Sequence, residues 1–479
     1  MKNRPCQSPA PWVSAIPLVV LTALLCVVIR CFGGGAIDGG SQIALLSAAS
    51  VCVMLSIGLY GCRWAVLEEA IVDNIRASAS AIIILLLIGA IAGSWMVSGV
   101  VPTMIYFGLK ILHPSFFLVA TCLICAGVAL MTGSSWTTIA TIGVALMGIG
   151  QAMGLPEGWI AGAIISGAYF GDKLSLLSDT TVLASSTVGV EVFAHIRYML
   201  YTTVPSMLVA LVVFTVAGLS LDHRAGAHVA LYAEALRASF RITPWLLLVP
   251  LATGFLIVRK LPALITLFAA AVFACIAMLV AQPDLVARIA GVSELDFLAG
   301  FKGVLMTCFG PTALETGNPQ LDELVATRGM AGMLNTVWLI LCAMCFGGVM
   351  TGSGMLRSLT GIFLRVVRRT FSAVASTVGA GIFFNLCTAD QYISIILSGR
   401  LFRDLYARRG LEARLLSRSV EDSATVCSVL IPWNSCGMTQ ATVLGVSTFV
   451  YMPYCIFNLV SPLMSLLVAA IGWHIRKKP

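Results

Sequence analysis

Charged side chains are scarce in this chain. Asp, Glu, Lys and Arg make up 10% of its 479 residues, where soluble domains average about 25%. With 59% hydrophobic residues and a mean hydropathy of +0.98, that scarcity excludes a water-soluble globular protein. Alternating ten-residue strands are missing too, which excludes a lipid-facing barrel and leaves helices as the spans. No nucleotide or phosphate loop occurs, so nothing points to ATP as the energy source. Histidine is confined to positions 113, 195, 223, 228 and 474, in loops or at span ends. The two C-x-x-C matches, Cys122/Cys125 and Cys342/Cys345, fall inside apolar runs with no His nearby. They read as small packing residues and call for no metal or redox cofactor. A net charge of +8 would suggest nucleic acid in a soluble protein. Here the Lys and Arg sit beside apolar runs and report topology instead, so no nucleic-acid partner is expected.

What the chain does have is apolar runs, at about 12–32, 40–61, 80–112, 115–153, 157–189, 197–219, 245–258, 261–281, 330–367, 372–398, 420–450 and 453–473. Most reach the roughly 18 residues that a membrane helix needs, so the chain is expected to be an all-α polytopic membrane protein. The first run follows "MKNRPCQSPAPW", exceeds a signal core and lacks a convincing cleavage site; it reads as a retained span. The run 245–258 is short. Several others are too long for one straight helix and carry breakers: "GSWMVSGVVP" at 93–102, "FGGVMTGSG" at 346–354 and "LIPWNSCG" at 430–437.

Segment 372–398 lies between two basic clusters, Arg365, Arg368 and Arg369 before it and Arg400, Arg403, Arg408, Arg409, Arg414 and Arg418 after it. A single crossing would put one cluster outside, against the positive-inside tendency. A re-entrant hairpin with "NLCTADQ", Asn385 to Gln391, at its tip keeps both in the cytoplasm. Irregular backbone at that depth must line protein or a cavity. A matching hairpin at 115–153 has "TGSSWTT", Thr132 to Thr138, at its middle. Counting 80–112, 157–189, 330–367 and 420–450 as one broken crossing each gives ten crossings and two hairpins, with both termini cytoplasmic. Of the 29 Lys and Arg, 19 then lie inside, 8 outside and 2, Lys173 and Arg357, within broken segments. Six of the eight outside fall in the connections 220–244 and 282–329.

The two halves echo one another. "GSWMVSG" at 93–99 aligns with "GGVMTGS" at 347–353, and "TGSS" at 132–135 with "TADQ" at 388–391, at offsets of 254 and 256. The broken segment holding Asp172 then corresponds to the one holding Pro432 and Asn434. About five crossings per half, an odd number, turn the second copy upside down. Residues 1–219 are expected to form the first repeat, 220–244 a connecting loop and 245–479 the inverted second repeat. Inverted repeats with broken helices mark secondary transporters that bind cargo near the bilayer midplane, not enzymes.

The polar residues are concentrated in "GAYFGDKLSLLSDTT", Gly167 to Thr181. A carboxylate at bilayer depth costs about 2.5–3.5 kcal/mol on insertion scales, so it normally faces a cavity and has a task. On a continuous helix Asp172 and Asp179 would share a face two turns apart. Gly171 and the hydroxyls of Ser175, Ser178, Thr180 and Thr181 favour unwinding between them. Freed carbonyls, carboxylates and hydroxyls make an all-oxygen site that suits sodium, with Asp172 and Asp179 as its ligands. Lys173 is expected to pair with one of these two aspartates; the bland alternative is that "DKLSLLSD" is a loop facing water. Asp390 stands at the second hairpin tip, with Thr388 matching Thr132 and Asp390 itself matching Ser134; Ser135 completes the first tip. Asn434 and Ser435 follow the second break, where side-chain oxygens reach an ion. Glu421 and Asp422, beside Arg418, read equally as an interfacial ion pair or as pathway residues. With histidine at the margins, a proton carrier in the core is expected to be a carboxylate. Burial favours the neutral carboxyl and a bound cation the charged one, so one aspartate holds either a proton or sodium. If only loaded forms cross, the flow of one drives the other.

These stretches, with "HIRYMLYTTVPS" at 195–206, "IPWNSCG", "VLGV" and "YMPYCIFNLVSP", resemble the NhaC family of sodium/proton antiporters over most of the chain. The resemblance implies the wider ion-transporter superfamily, with inverted repeats, paired hairpins and a transport domain moving against a scaffold in the cell membrane. Its members often dimerise, which makes a homodimer the expected assembly. The family pattern D-K-x-S-P-x-S-D-T-T-N-L-A-P is matched at Asp172, Lys173, Ser175, Ser178, Asp179, Thr180 and Thr181. Leu176, Val182 and Ser185 depart from it, removing two prolines and one amide that could reach an ion. Some relatives exchange organic anions such as malate and lactate. The leading expectation is therefore sodium/proton antiport at Asp172 and Asp179, assisted by Thr132, Ser134, Ser135, Thr388, Asp390 and Asn434. Coupled exchange of a small organic anion is the alternative, and a membrane scaffold or sensor that binds ions without moving them is a third. The topology makes a direct prediction: a reporter fused near Leu411 reads as cytoplasmic and one near Gln320 does not.

Overall fold

The computed structural model describes residues 9–32, 39–221, 233–259, 261–312, 322 and 325–475. The first eight residues, residues 222–232 of the 220–244 connection and residues 313–321, 323 and 324 of the 282–329 connection lie outside these. Among the described residues, eight helices are long and apolar enough to cross a bilayer, or up to eleven if each bent pair is one span. The chain is a multi-pass, all-α membrane protein.

Helices α1 (Pro11–Phe32), α2 (Gly40–Tyr60) and α3 (Trp64–Val97) open the chain. α3 begins at Trp64, not near residue 80. Glu68, Glu69, Asp73 and Arg76 lower the hydropathy of its first turns, but Leu67, Asn74 and Ser78 are buried at helical spacing. Gly99, at φ 82°, breaks α3 from α4 (Val100–Ile111), and the Val100 N–H donates to Ser98 Oγ at 3.4 Å. α5 (Pro114–Thr132), α6 (Ser135–Thr138), a π turn at Ile139–Gly143 and α7 (Val144–Ala152) make the first hairpin. α8 (Glu157–Leu174) and α9 (Asp179–Val188) follow at a 47° bend, then α10 (Val192–Ser220).

The expected span at 245–258 starts as a 3-10 turn, Pro244–Leu247, set 95° from α11 (Ala233–Ser239) and continuing into α12 (Leu248–Val258). α13 (Ala263–Ala281) comes next. The 282–329 stretch, expected as a connection, contains α14 (Pro283–Ala290) and the apolar α15 (Phe297–Phe309). Thirteen residues are too few to register as a span, although α15 is apolar enough to expose Phe297, Leu298 and Phe301. α16 (Leu334–Gly352) breaks from α17 (Met355–Arg365) at Gly354, φ 75°, where the Met355 N–H donates to Ser353 Oγ at 3.3 Å. The second hairpin is α18 (Thr370–Thr388) and α19 (Gln391–Arg408). α19 runs ten residues past the expected limit at 398 because its Arg, Leu and Ala residues are good helix formers. α20 (Ala413–Val420), a π turn at Glu421–Thr425, a 3-10 turn at Ser428–Leu430 and α21 (Ser435–Leu444) make the second broken segment. α22 (Thr448–Tyr451) and α23 (Ile456–Ile471) close the chain.

Large apolar side chains point outward along one face of α10 (Leu208, Val212, Val216, Leu219) and of α23 (Leu463, Leu467, Ile471). Lipid takes the place of a partner there. Between helices the packing relies on small residues, since lipid supplies no hydrophobic drive for helices to associate. α5 and α8 approach most closely through Gly167 and Gly171. A Cβ on Gly167 would stand 2.1 Å from the Cys122 carbonyl oxygen, and one on Gly171 would stand 2.1 Å from that of Ala126. This contact fixes α8, and with it Asp172, against the first hairpin. Gly171→Leu should lower the unfolding midpoint in detergent, since overpacking costs about 1–3 kcal/mol. Gly127→Leu on the open side of α5, where a Cβ meets nothing within 4 Å, should leave it unchanged.

Candidate functional site

The two hairpin tips are built alike. In the first, Gly133 takes a left-handed conformation (φ 68°), and a Cβ there would lie 2.5 Å from Leu177 Cβ, so only glycine fits. The Thr132 hydroxyl donates to the Ser134 carbonyl at 3.2 Å and accepts from the Ser134 N–H at 3.1 Å. Ser134 caps α6 by accepting from the Thr137 N–H at 3.2 Å. In the second tip Ala389 is left-handed (φ 56°), an uncommon place for a non-glycine residue. The Thr388 hydroxyl donates to the Asp390 carbonyl at 3.1 Å, and Asp390 caps α19 by accepting from the Ile393 N–H at 3.0 Å. Thr132 also pairs with Thr138, and Thr388 with Ser394, the same six-residue step. Every partner recurs 256 positions later.

The first broken segment unwinds where expected. α8 ends at Leu174, Ser175 is extended, and Ser178 caps α9 by accepting from the Thr181 N–H at 3.4 Å. The Thr181 hydroxyl donates to the Lys173 carbonyl at 3.1 Å, meeting an acceptor that the break sets free. Ser175 accepts from the Leu177 N–H, and Thr180 pairs with Ser178 at 3.0 Å. In the second segment Asn434 occupies the matching position and caps α21, its Oδ1 accepting from the Cys436 N–H at 3.0 Å.

Each tip clasps its break. Ser135 donates twice to Asp172 Oδ2, from its N–H at 3.1 Å and its hydroxyl at 2.7 Å. The N–H belongs to the first turn of α6, whose dipole favours a negative charge. At the matching positions of the second half, the Ser428 hydroxyl donates to Gln391 Oε1 at 3.2 Å. Ser435 donates to Asp390 Oδ2 at 3.3 Å, and its N–H to the Ala389 carbonyl at 2.8 Å. Asp172 and Asp390 are both buried, at 7% and 2% exposure.

Lys173 corrects an expectation: its ion-pair partner is neither Asp172 nor Asp179 but Asp422 in the other half, and both side chains are buried. Lys173 also reaches Ser461 at 3.3 Å, and Thr202 and Ser461 donate to Asp422 Oδ1, each at 3.3 Å. Arg418, four residues before Asp422, sits 3.9 Å from it with 0% exposure, so this is no interfacial pair. Arg418 stacks over the Tyr198 ring at 4.8 Å, and none of its nitrogens finds a hydrogen-bond acceptor. His195 stands at the start of α10 as expected but is fully buried, its Nδ1 2.8 Å from Ser417 Oγ.

The structure thus joins Asp172 with Thr132, Ser134, Ser135, Ser175, Ser178 and Thr180 around one break. It joins Asp390 with Thr388 and Ser435 around the other. Asn434 stands beside them, its amide donating to Asn385. Asp179 opens α9 with an exposed side chain, so the two aspartates differ in surroundings. "DKLSLLSD" is no water-facing loop as a whole: Asp172, Lys173, Ser175 and Ser178 are buried, and Leu176 and Asp179 are exposed. Reading from the sequence offered Asp422 and Arg418 as an interfacial pair or as pathway residues without finding Lys173 as the partner, and it missed the buried roles of His195 and Asn385. Among the described residues, no group of three or more His, Cys, Asp or Glu side chains is arranged for a metal ion. A cation here would meet mixed carboxylate and hydroxyl oxygens.

Comparison with known proteins gives a consistent picture. Residues 167–473 match the Na+/H+ antiporter family. The chain is 35% identical over 439 residues to the Na(+)/H(+) antiporter NhaC of Alkalihalophilus pseudofirmus, covering 91% of this chain and 90% of that protein. It is 34% identical over 432 residues to the Na(+)/H(+) antiporter NhaC of Bacillus subtilis, covering 90% and 91%. It is also 35% identical over 420 residues to the malate-2H(+)/Na(+)-lactate antiporter of Bacillus subtilis, covering 86% and 85%.

The ion pair between the halves predicts a non-additive pair of substitutions. Asp422→Asn strands Lys173 in the interior and should cost about 3–5 kcal/mol of stability. Adding Lys173→Met removes the stranded charge and should recover part of that loss, read as a rise in the unfolding midpoint over the single variant.

Proposed function

The chain belongs to the Na+/H+ antiporter family, and we propose that it exchanges sodium for protons across the cytoplasmic membrane through competition at Asp172. The observation that carries this reading is a carboxylate buried at the junction of a hairpin tip and a broken helix, with the two Ser135 donors converging on one oxygen. Such a group changes partner at low cost: sodium or a proton neutralises it in turn, and the two exclude each other. Asp179, exposed at the mouth of the same break, guides the cation towards it, and Ser175, Ser178 and Thr180 supply hydroxyl oxygens. Asp390 with Thr388, Ser435 and Asn434 forms the counterpart in the second half. We take the halves as inverted repeats, with hairpins re-entering the membrane and both termini cytoplasmic. The matching clasps then form two gates that open to opposite sides.

A second reading has its own observation. Arg418 is a buried guanidinium whose donors have no acceptor, a chemistry that suits the carboxylate of a small organic anion. Coupled exchange of such an anion is the activity named for one of the relatives.

Proteoliposomes with a pH dye inside separate the two. A sodium gradient should drive proton counterflow in the wild type, and Asp172→Asn should abolish it at equal insertion. Full flux in that variant places the cation elsewhere. Malate or lactate exchange without sodium-driven proton flux favours the second reading.

A further inference from the structure

Glu421 is a carboxylate that the clasps leave without a task. It opens the π turn of the second broken segment, has 0% exposure, and neither of its oxygens has a hydrogen-bond donor. An ionised group so placed costs several kcal/mol unless a counter-charge meets it. Its neighbour Asp422 is engaged through Oδ1 by Lys173, Thr202 and Ser461, and its Oδ2 stands 3.9 Å from Arg418. Consecutive residues of a helical turn point in well-separated directions, so Glu421 faces other company. That company is Lys173, whose ammonium is already paired with Asp422, with Asp172 and Thr180 from the first broken segment and Thr425 from its own turn. Thr425 is buried with an unpartnered hydroxyl, and it lies four positions along the same wide turn. π turns inside helices are frequent at functional sites.

We propose that Glu421 is a ligand of the transported cation, with Thr425 and Thr180 beside it, so that one pocket is assembled from both halves. This rests on the sodium–proton reading above and deepens it.

The experiment is sodium binding to the purified full-length protein in detergent, by radioactive sodium and by the sodium-dependent rise of the unfolding midpoint. Wild type should bind saturably. Glu421→Gln should weaken apparent affinity by roughly tenfold or more. Thr425→Val, which keeps shape and removes the hydroxyl, should weaken it in the same direction and decides the matter if the first variant does not fold. Wild-type affinity in Glu421→Gln, or in Thr425→Val where the other does not fold, overturns the assignment. Failure of the wild type to bind sodium overturns the sodium–proton reading instead, and is seen in a separate arm.

Discussion

The ion pair between Lys173 and Asp422 is the constraint on which the rest of this structure depends. It joins the last turn of α8, just before the first break, to the π turn of the second broken segment. Two chain segments some 250 residues apart in sequence are thereby held at one depth. Each charge has only a looser second neighbour, Arg418 at 3.9 Å for Asp422 and Glu421 for Lys173. Breaking the pair would leave a bare charge beside Phe457 and Ser461, both buried. An apolar contact could hold the same helices together at less risk. A charged one fixes the register of both breaks, because only one geometry satisfies it.

That register lets the hairpins do their work. Each tip must meet a break at hydrogen-bonding distance, and each break must leave its carbonyls satisfied. The cost of unwinding a helix in a membrane interior is several kcal/mol for every orphaned group. Here Thr181 and Thr388 return hydroxyls to freed backbone, and Ser178, Asn434, Ser134 and Asp390 cap the helices that restart. The hydroxyl-rich composition of these stretches is explained first by this local accounting. Only what remains after it, chiefly the carboxylates, is available to cargo.

Much of this was legible in the sequence. Hairpin tips at Thr132–Thr138 and Asn385–Gln391 and the break between Asp172 and Asp179 follow from glycines, hydroxyls and acids interrupting apolar runs. Such interruptions are rare in lipid and need a reason. The start of α3 at Trp64 was not legible, because hydropathy averages over a turn and cannot see that Leu67, Asn74 and Ser78 share one buried face. The partner of Lys173 was not legible either. Nearness in sequence favoured Asp172 and Asp179, whereas the fold brings Asp422 from the other half. Long-range pairing of this kind is a property of topology, and a single chain carries no local trace of it. His195 shows the same limit: a span end by position is a buried site once α20 packs over it.

The duplicated geometry also explains why the halves differ. Position for position, Asp172 corresponds to Ser428 and Asp390 to Ser134. Each half therefore carries one carboxylate at its clasp, on the break in the first and on the tip in the second. Each acid finds a serine across the junction, Ser135 for Asp172 and Ser435 for Asp390. Acids at both matching positions would bring a second carboxylate to each junction, a repulsion that a buried site cannot screen. Acids at neither would leave a clasp of neutral groups with nothing for a cation to change. One acid per junction, on opposite sides of the two junctions, keeps both clasps closed by hydrogen bonds and both sensitive to charge. On the proposed reading, in which the two clasps open in turn, clasps that share a geometry and differ in chemistry let the two openings answer to charge separately.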